Sequence, residues 1–258
     1  MQPHFLGQLM LNTFLNLLLP QICPLCSTDS EDDQFCQKCL SDIRLITSPI
    51  CLCCGVPFIS QECEDHLCGR CIKKQIPFST ARSIGVYEGV LLEAIHKFKY
   101  NGKISLSKAL VKIMASATGM QSHRNIAFEK ASGAILSGSP DLIVPVPLHK
   151  TRLKERGFNQ SLLLARGLAG IYHLSIDYLN LKRIRSTDHQ VNLKGKDRLV
   201  NVRGAFAVKD RDAFKDKKVL LIDDVYTTGA TIAECSKVLK KAGAKDVNIL
   251  TLARVVNL

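Results

Sequence analysis

Val219, Leu220, Leu221 and Ile222 form an unbroken apolar run, the pattern of a parallel strand covered on both faces. Two carboxylates, Asp223 and Asp224, follow at its carboxyl end, and then a hydroxyl-rich turn, Thr227, Thr228, Gly229, Ala230 and Thr231. Ile232 to Ala242 reads as a helix, with Gly243 suited to its stop. Upstream, residues 83–87 read as a strand, Glu88 to Phe98 and Ile104 to about Thr118 as helices, Leu142 to Val146 as a second buried strand and Gly204 to Val208 as a third. Residues 121–140, rich in Ser, Gly and Ala, read as a loop, a helical fragment or an insertion. The alternation predicts an α/β body built on a parallel sheet.

The order strand, paired acids, turn, helix builds a sugar-phosphate site, because such sites open at the carboxyl ends of strands. Carboxylates there accept hydrogen bonds from vicinal ribose hydroxyls or help hold a hydrated magnesium ion. The turn offers hydroxyls and closely approachable amides, and the positive end of the helix faces the anion. A Walker P-loop is excluded, since no Gly-x4-Gly-Lys-Ser/Thr occurs and the acids precede the loop. An ordinary strand-turn-helix with surface acids is the plainer alternative. Agreement of every element with one ligand shape weighs against it.

A second segment leaves the strand at 142–146 through Pro147, Leu148, His149, Lys150, Thr151 and Arg152, with Lys154, Arg156 and Gly157 beyond. Prolines stiffen this turn and basic side chains crowd it, as a pyrophosphate-binding loop requires. Arg152 and Arg156 are its best phosphate ligands because a guanidinium binds phosphate in bidentate fashion. His149 reads as a solvent-facing loop histidine and is given no proton-transfer role. Further on, residues 183–203 are polar and basic, with Arg183, Arg185, Gln190, Lys194, Lys196 and Arg198 as candidates for a mobile lid or for DNA contact. A static surface connection fits the composition as well.

Ten of eleven cysteines lie between Cys23 and Cys71, and eight form four Cys-x2-Cys pairs: Cys23/Cys26, Cys36/Cys39, Cys51/Cys54 and Cys68/Cys71. Two residues between cysteines let a tight turn aim both sulfurs at one ion, so two pairs complete a tetrahedral thiolate set and the count fits two structural zinc ions. Gly55 and Gly69 follow or sit inside their knuckles, where a backbone turning under the metal benefits from glycine. A disulfide framework and a redox pair are weaker readings, the first because no secretion signal is visible and the second because four pairs crowd about fifty residues. Cys53 and Cys63 are substitute ligands, and a cross-braced pairing is open. Cys235 has the spacing of a core residue. With little apolar sequence of its own, the module should owe on the order of 10 kcal/mol of folding free energy to each metal.

At 258 residues and 46% hydrophobic content the chain can bury a sizeable core. Its net charge of +12 is uneven: residues 1–78 carry 5 basic and 8 acidic side chains, leaving 30 and 15 for residues 79–258. Between Lys150 and Arg203 there are 12 Lys or Arg against 4 acids, the strongest candidate for an anion-facing surface. Sparse aromatics, 6% with no Trp, argue against a long base-stacking platform. Residues 5–19 are rich in Leu and Phe but interrupted by Gln8, Asn12, Thr13 and Asn16. They make a poor signal peptide and are too short and polar for a membrane span, so residues 1–22 are expected to form an amphipathic helix packed on the body or a partner, in a cytoplasmic protein.

The Asp-Asp turn at 223–231 resembles the 5-phosphoribosyl-1-pyrophosphate (PRPP) motif of type I phosphoribosyltransferases. Together with the four-knuckle front, Val-Pro-Val-Pro-Leu-His at 144–149, Arg-Gly-Phe-Asn-Gln at 156–160 and the stretch from Gln190 through Arg198 to Asn201, it resembles the ComF family of competence-associated phosphoribosyltransferase-like proteins. The resemblance implies a zinc-ribbon module over 23–78 and a type I phosphoribosyltransferase-like domain, a Rossmann-like parallel sheet, over 79–258. It implies Asp223 and Asp224 on the ribose hydroxyls as catalytic residues, 227–231 on the 5-phosphate, magnesium bound with PRPP, and a lid closing over the substrate. It also implies a cytoplasmic role in natural transformation, with internalised single-stranded DNA and competence DNA-processing proteins as partners. A PRPP-sensing module that holds single-stranded DNA without turnover, or a nucleotide-salvage transferase, are the alternative expectations.

Overall fold

The computed structural model describes residues 22–30, 34–60, 64–100, 102–117, 139–186 and 201–256. The N-terminal helix expected at 1–22, apart from Ile22, therefore lies outside the described residues, as do Cys63 and most of 121–140. Two short helices, α1 (Gln37–Ser41) and α2 (Gly69–Lys73), belong to the cysteine-rich front. The body runs β1 (Thr80–Val86), α3 (Gly89–Tyr100), α4 (Leu106–Ala117), β2 (Leu142–Pro145), α5 (Lys150–Arg156), α6 (Gln160–Tyr172), β3 (Ser175–Ile176), β4 (Leu181–Arg183), β5 (Phe206–Val208), β6 (Lys218–Tyr226), α7 (Ala230–Lys241) and β7 (Asp246–Arg254). Five strands pair in parallel in the order β1-β7-β6-β2-β3, and β4 and β5 form an antiparallel pair.

The sheet's centre explains its sequence. Val219, Leu220, Leu221 and Ile222 of β6 and Val247, Ile249, Leu250 and Leu252 of β7 are all fully buried, alternate residues serving opposite faces. On one face, Leu106, Ala109, Leu110, Ile113 and Met114 recur on α4 at helical spacing and pack with α3 and α6 against Leu220, Ile222, Leu250 and Leu252. On the other, Ile232, Cys235 and Leu239 of α7 and Phe206 of β5 cover Val219, Leu221, Val247 and Ile249. Cys235 is a packing residue, and burial pushes its thiol well above the ordinary range.

Among the described residues the cysteine-rich front has no separate core. Cys23, Leu25, Phe35, Cys39 and Ile43 join the cluster that contains α3 and α4. Cys53 and Ile76 pack against the opposite cluster, in which Phe78 is itself buried. Residues 44–46 bond along edge strand β1, with Val86 N donating to Arg44 O at 2.8 Å and Ile46 N to Ile84 O at 2.9 Å. No helix among the described residues is long and apolar enough to cross a membrane.

Several boundaries shift. β6 continues through both acids to Tyr226, because Asp223 pairs with Thr251 and Tyr226 with Arg254 of β7. The basic segment after β2 is only in part a turn: His149 caps α5, its Nδ1 accepting from Thr151 N, so Lys150 to Arg156 are helical. α3 extends past Phe98 to Tyr100, and β5 begins at Phe206 rather than Gly204.

Candidate functional site

The segment Arg156 to Ser161 shows how sequence positions a site. Gly157 ends α5 in the left-handed region, at φ 77°. Phe158 packs its ring 5.7 Å from Phe98. Asn159 caps α6, its Oδ1 accepting from Ser161 N at 3.0 Å, while its Nδ2 donates to Val146 O at 3.1 Å and ties the helix to the end of β2. The result places Ser161 Oγ 2.9 Å from Asp223 Oδ1, to which it donates. Gln160, only 2% exposed, enters the cavity beside them.

That cavity, about 480 Å³, opens over the carboxyl ends of β2 and β6. Asp223, Asp224, Thr227, Gly229, Ala230 and Thr231 form one wall, Pro147, Leu148, Arg152, Arg156 and Arg183 another, and Tyr87, His96, Lys99 and Tyr100 a third. Of the residues expected from sequence, Thr228, His149, Lys150 and Arg185 fall outside this lining. Arg185 Nη2 instead donates to Asn201 O and Arg203 O, at 2.9 and 2.8 Å. Gln190, Lys194, Lys196 and Arg198 lie outside the described residues. Arg183, a candidate above for the lid or for DNA contact, is placed in β4 over the Phe206 ring.

Sequence reasoning missed Lys99. α3 runs two residues further than expected and so includes Lys99, whose ammonium reaches Asp224 Oδ2 at 2.7 Å. Desolvation favours its neutral form, but the Asp224 carboxylate prevails and raises the Lys99 pKa above its ordinary value. Burial, with the Asp224 charge alongside, pushes the Asp223 carboxyl up to about 7, against the lowering pull of Lys99 and Ser161. Burial and the nearby Arg152 guanidinium lower the Arg183 pKa. Arg152 Nη2 and Gln160 Nε2 are buried with no hydrogen-bond partner among the described residues. Unpartnered donors of this kind suit an anion.

At the turn after β6, Gly229 has φ 76° and a Cβ there would stand 2.3 Å from Tyr226 Oη, so glycine is required. α7 begins at Ala230, and Gly229, Ala230, Thr231 and Ile232 line the cavity, so the positive end of the helix lies at its wall.

The eight knuckle cysteines form two sets, Cys23/Cys26/Cys36/Cys39 and Cys51/Cys54/Cys68/Cys71, and within each set all four sulfurs lie within 4.8 Å of one another. Separations of 3.9 Å for Cys23–Cys39, 3.4 Å for Cys26–Cys36 and 3.7 Å for Cys54–Cys68 match the edge of about 3.8 Å that four thiolates make around zinc. Pairing is sequential, not cross-braced, and Cys53 stands outside both sets. Gly55 is required by its φ of 69° and by Ala81 O, 2.3 Å from where its Cβ would be. Gly69 meets no such constraint, contrary to the reasoning from spacing: it opens α2 with open space beside it.

Comparison with known proteins agrees with this geometry. Residues 14–72 match a double zinc ribbon domain and residues 161–256 a phosphoribosyl transferase domain. The chain is 32% identical to Competence protein F of Haemophilus influenzae over 222 residues, 85% of this chain and 90% of that one. The chain belongs to the ComF family. Two further relatives are Competence protein ComFC of Bacillus subtilis, 31% identical over 86% of this chain and 85% of that one, and the DNA utilization protein YhgH of Escherichia coli K12, 30% identical over 93% of this chain and all of that one. The ComF body is thus a phosphoribosyltransferase fold, and its two cysteine sets are structural zinc sites.

Proposed function

We propose that the cavity binds magnesium PRPP and that the chain serves natural transformation by handling internalised single-stranded DNA in the cytoplasm, as a phosphoribosyltransferase whose acceptor is unassigned. The observation that carries the reading is the convergence of a glycine-turned helix start, two carboxylates and the unpartnered Arg152 and Gln160 donors on one cavity. Asp223 and Asp224, already engaged by Ser161 and Lys99, fit ribose hydroxyls better than direct magnesium coordination. Magnesium bound with the substrate would add to the charge neutralisation that Arg152, Arg156 and Arg183 supply. The Thr227–Thr231 turn takes the 5-phosphate, and Arg152, Arg156 and Arg183 face the pyrophosphate, offsetting the charge that develops on it as the anomeric carbon gains oxocarbenium character. The division of labour follows the chain, a metal-held front over 23–78 and a catalytic body over 79–258.

Calorimetry on Asp224→Asn and Gly229→Val tests the site, and unchanged PRPP affinity in both would refute it. With the Asp223 carboxyl near 7, the acceptor form populates as pH rises, so PRPP should bind more tightly at about pH 8 than at about pH 6, and Asp223→Asn should remove that dependence. A pyrophosphate-release assay against bases, amines and single-stranded DNA separates transferase from PRPP sensor. Binding without release of pyrophosphate for any acceptor would assign the sensor role. DNA binding should weaken steeply with salt, and replacing Arg152 and Arg156 with Ala should flatten that slope by roughly 1 to 2 units if both touch phosphates.

A further inference from the structure

The turn that would take the 5-phosphate is not held by the body alone. Arg70 lies inside the last knuckle, between Cys68 and Cys71, on the short helix α2. Its Nη1 donates to Thr228 O at 3.1 Å and its Nη2 to Tyr226 Oη at 3.2 Å. Tyr226 is fully buried, and its hydroxyl stands where a Cβ on Gly229 would be. One guanidinium from the zinc module therefore fixes the turn twice, through the carbonyl before Gly229 and through the phenol beneath it.

The other knuckle of the same cysteine set is linked to the same tyrosine through Arg254. Arg254, at the end of β7 and 5% exposed, donates from Nη1 to Cys54 O at 2.6 Å and lies 4.1 Å from the centre of the Tyr226 ring. The chain of contacts runs from Cys54 through Arg254 and Tyr226 to Arg70 and back to Cys68–Cys71. A planar fork suits this role, since it meets two acceptors at once and stacks on aromatic faces. Among the described residues the first cysteine set offers no counterpart: its ties to the body are Lys97 Nζ donating to Leu25 O at 3.2 Å and, through the segment that follows it, the Arg44–Glu88 pair and the backbone bonds of residues 44–46 to β1, none of which reaches the phosphate turn.

We infer that Arg70 is a positioning residue for the phosphate turn, so that the second cysteine set, and not the first, presets the conformation of residues 227–231. The inference rests on the reading of that turn as a phosphate site for its value to function, but its mechanical content does not depend on any ligand.

The test is amide hydrogen exchange on the full-length zinc-loaded protein, comparing wild type with Arg70→Met and with Arg44→Met in the first module as control. Arg70→Met should speed exchange of residues 227–231 by about tenfold while both zinc ions are retained and β7 stays protected, and Arg44→Met should leave the turn unchanged. Magnesium PRPP affinity should fall in step with the exchange. Unchanged exchange in the turn would overturn the inference. If Arg70→Met sheds zinc or misfolds, Arg70→Lys, which keeps the charge without the fork, is measured in its place and judged by the same criterion. Failure of wild type to bind PRPP would instead refute the substrate assignment, and the exchange result would still stand.

Discussion

The two cysteine sets look alike in sequence and are attached differently. Cys23, Leu25, Phe35 and Cys39 are buried in the core face formed by α3 and α4, so the first set is held chiefly by apolar area. The second set meets the body through directed hydrogen bonds: Arg254 to Cys54 O, Arg70 to Tyr226 and Thr228, and Arg82 Nη2 to Leu52 O at 3.0 Å. Apolar packing is non-directional and tolerates small shifts. A hydrogen-bonded fork specifies orientation. The first set serves stability and the second also serves geometry.

Cysteine replacement should give the largest effects. Cys23→Ser and Cys54→Ser each remove a ligand from a site that contributes on the order of 10 kcal/mol, and metal analysis should find one zinc ion in place of two in whatever folds. Only Cys54→Ser should also loosen the phosphate turn, and equal loosening in both would erase the contrast. Next, Phe35→Ala, from a site 3% exposed, should cost about 3 to 5 kcal/mol in denaturant unfolding with no change in PRPP affinity. Arg254→Met leaves the Cys54 carbonyl without its partner and should cost about 1.5 to 3 kcal/mol, here accompanied by weaker PRPP binding. Arg44→Met is the small end of the series. Its ion pair with Glu88 at 3.2 Å is exposed at both partners, and chemical denaturation should register less than about 1 kcal/mol.

The parts of the molecule that obey short-range rules were legible in the sequence. Apolar runs located β2, β6 and the core of α7, and Cys-x2-Cys spacing located both metal sets. Harder to read were contacts whose partners lie far apart in the chain. Lys99 was hidden because helix ends are weakly specified, and it lies in the two residues by which α3 outruns the expected end, from which its ammonium reaches Asp224. Nothing in the local sequence singles out Arg70 or Tyr226. Their roles exist only once β1 pairs with β7 and brings the front of the chain against the turn after β6. Gly229 was found because its backbone conformation is a local demand, whereas Gly69 was misjudged because position in a knuckle alone sets no such demand.

The pairing of Arg254 with Cys54 spans 200 residues, and this has a consequence for biosynthesis. A ribosome delivers the cysteine-rich front early and β7 late, yet β7 sits between β1 and β6 in the sheet. The nascent front can gather metal as soon as Cys71 emerges, but the Cys54 carbonyl lacks its cationic partner until β7 has been made and inserted. The second metal module can meet β1 early through Arg82 and Leu52, but its seating is complete only when the sheet closes. A ribosome stalled shortly before Arg254 would leave a metal-loaded chain with an unfilled gap between β1 and β6, a form that quality-control proteases can tell from the finished protein by its exposed strand edges.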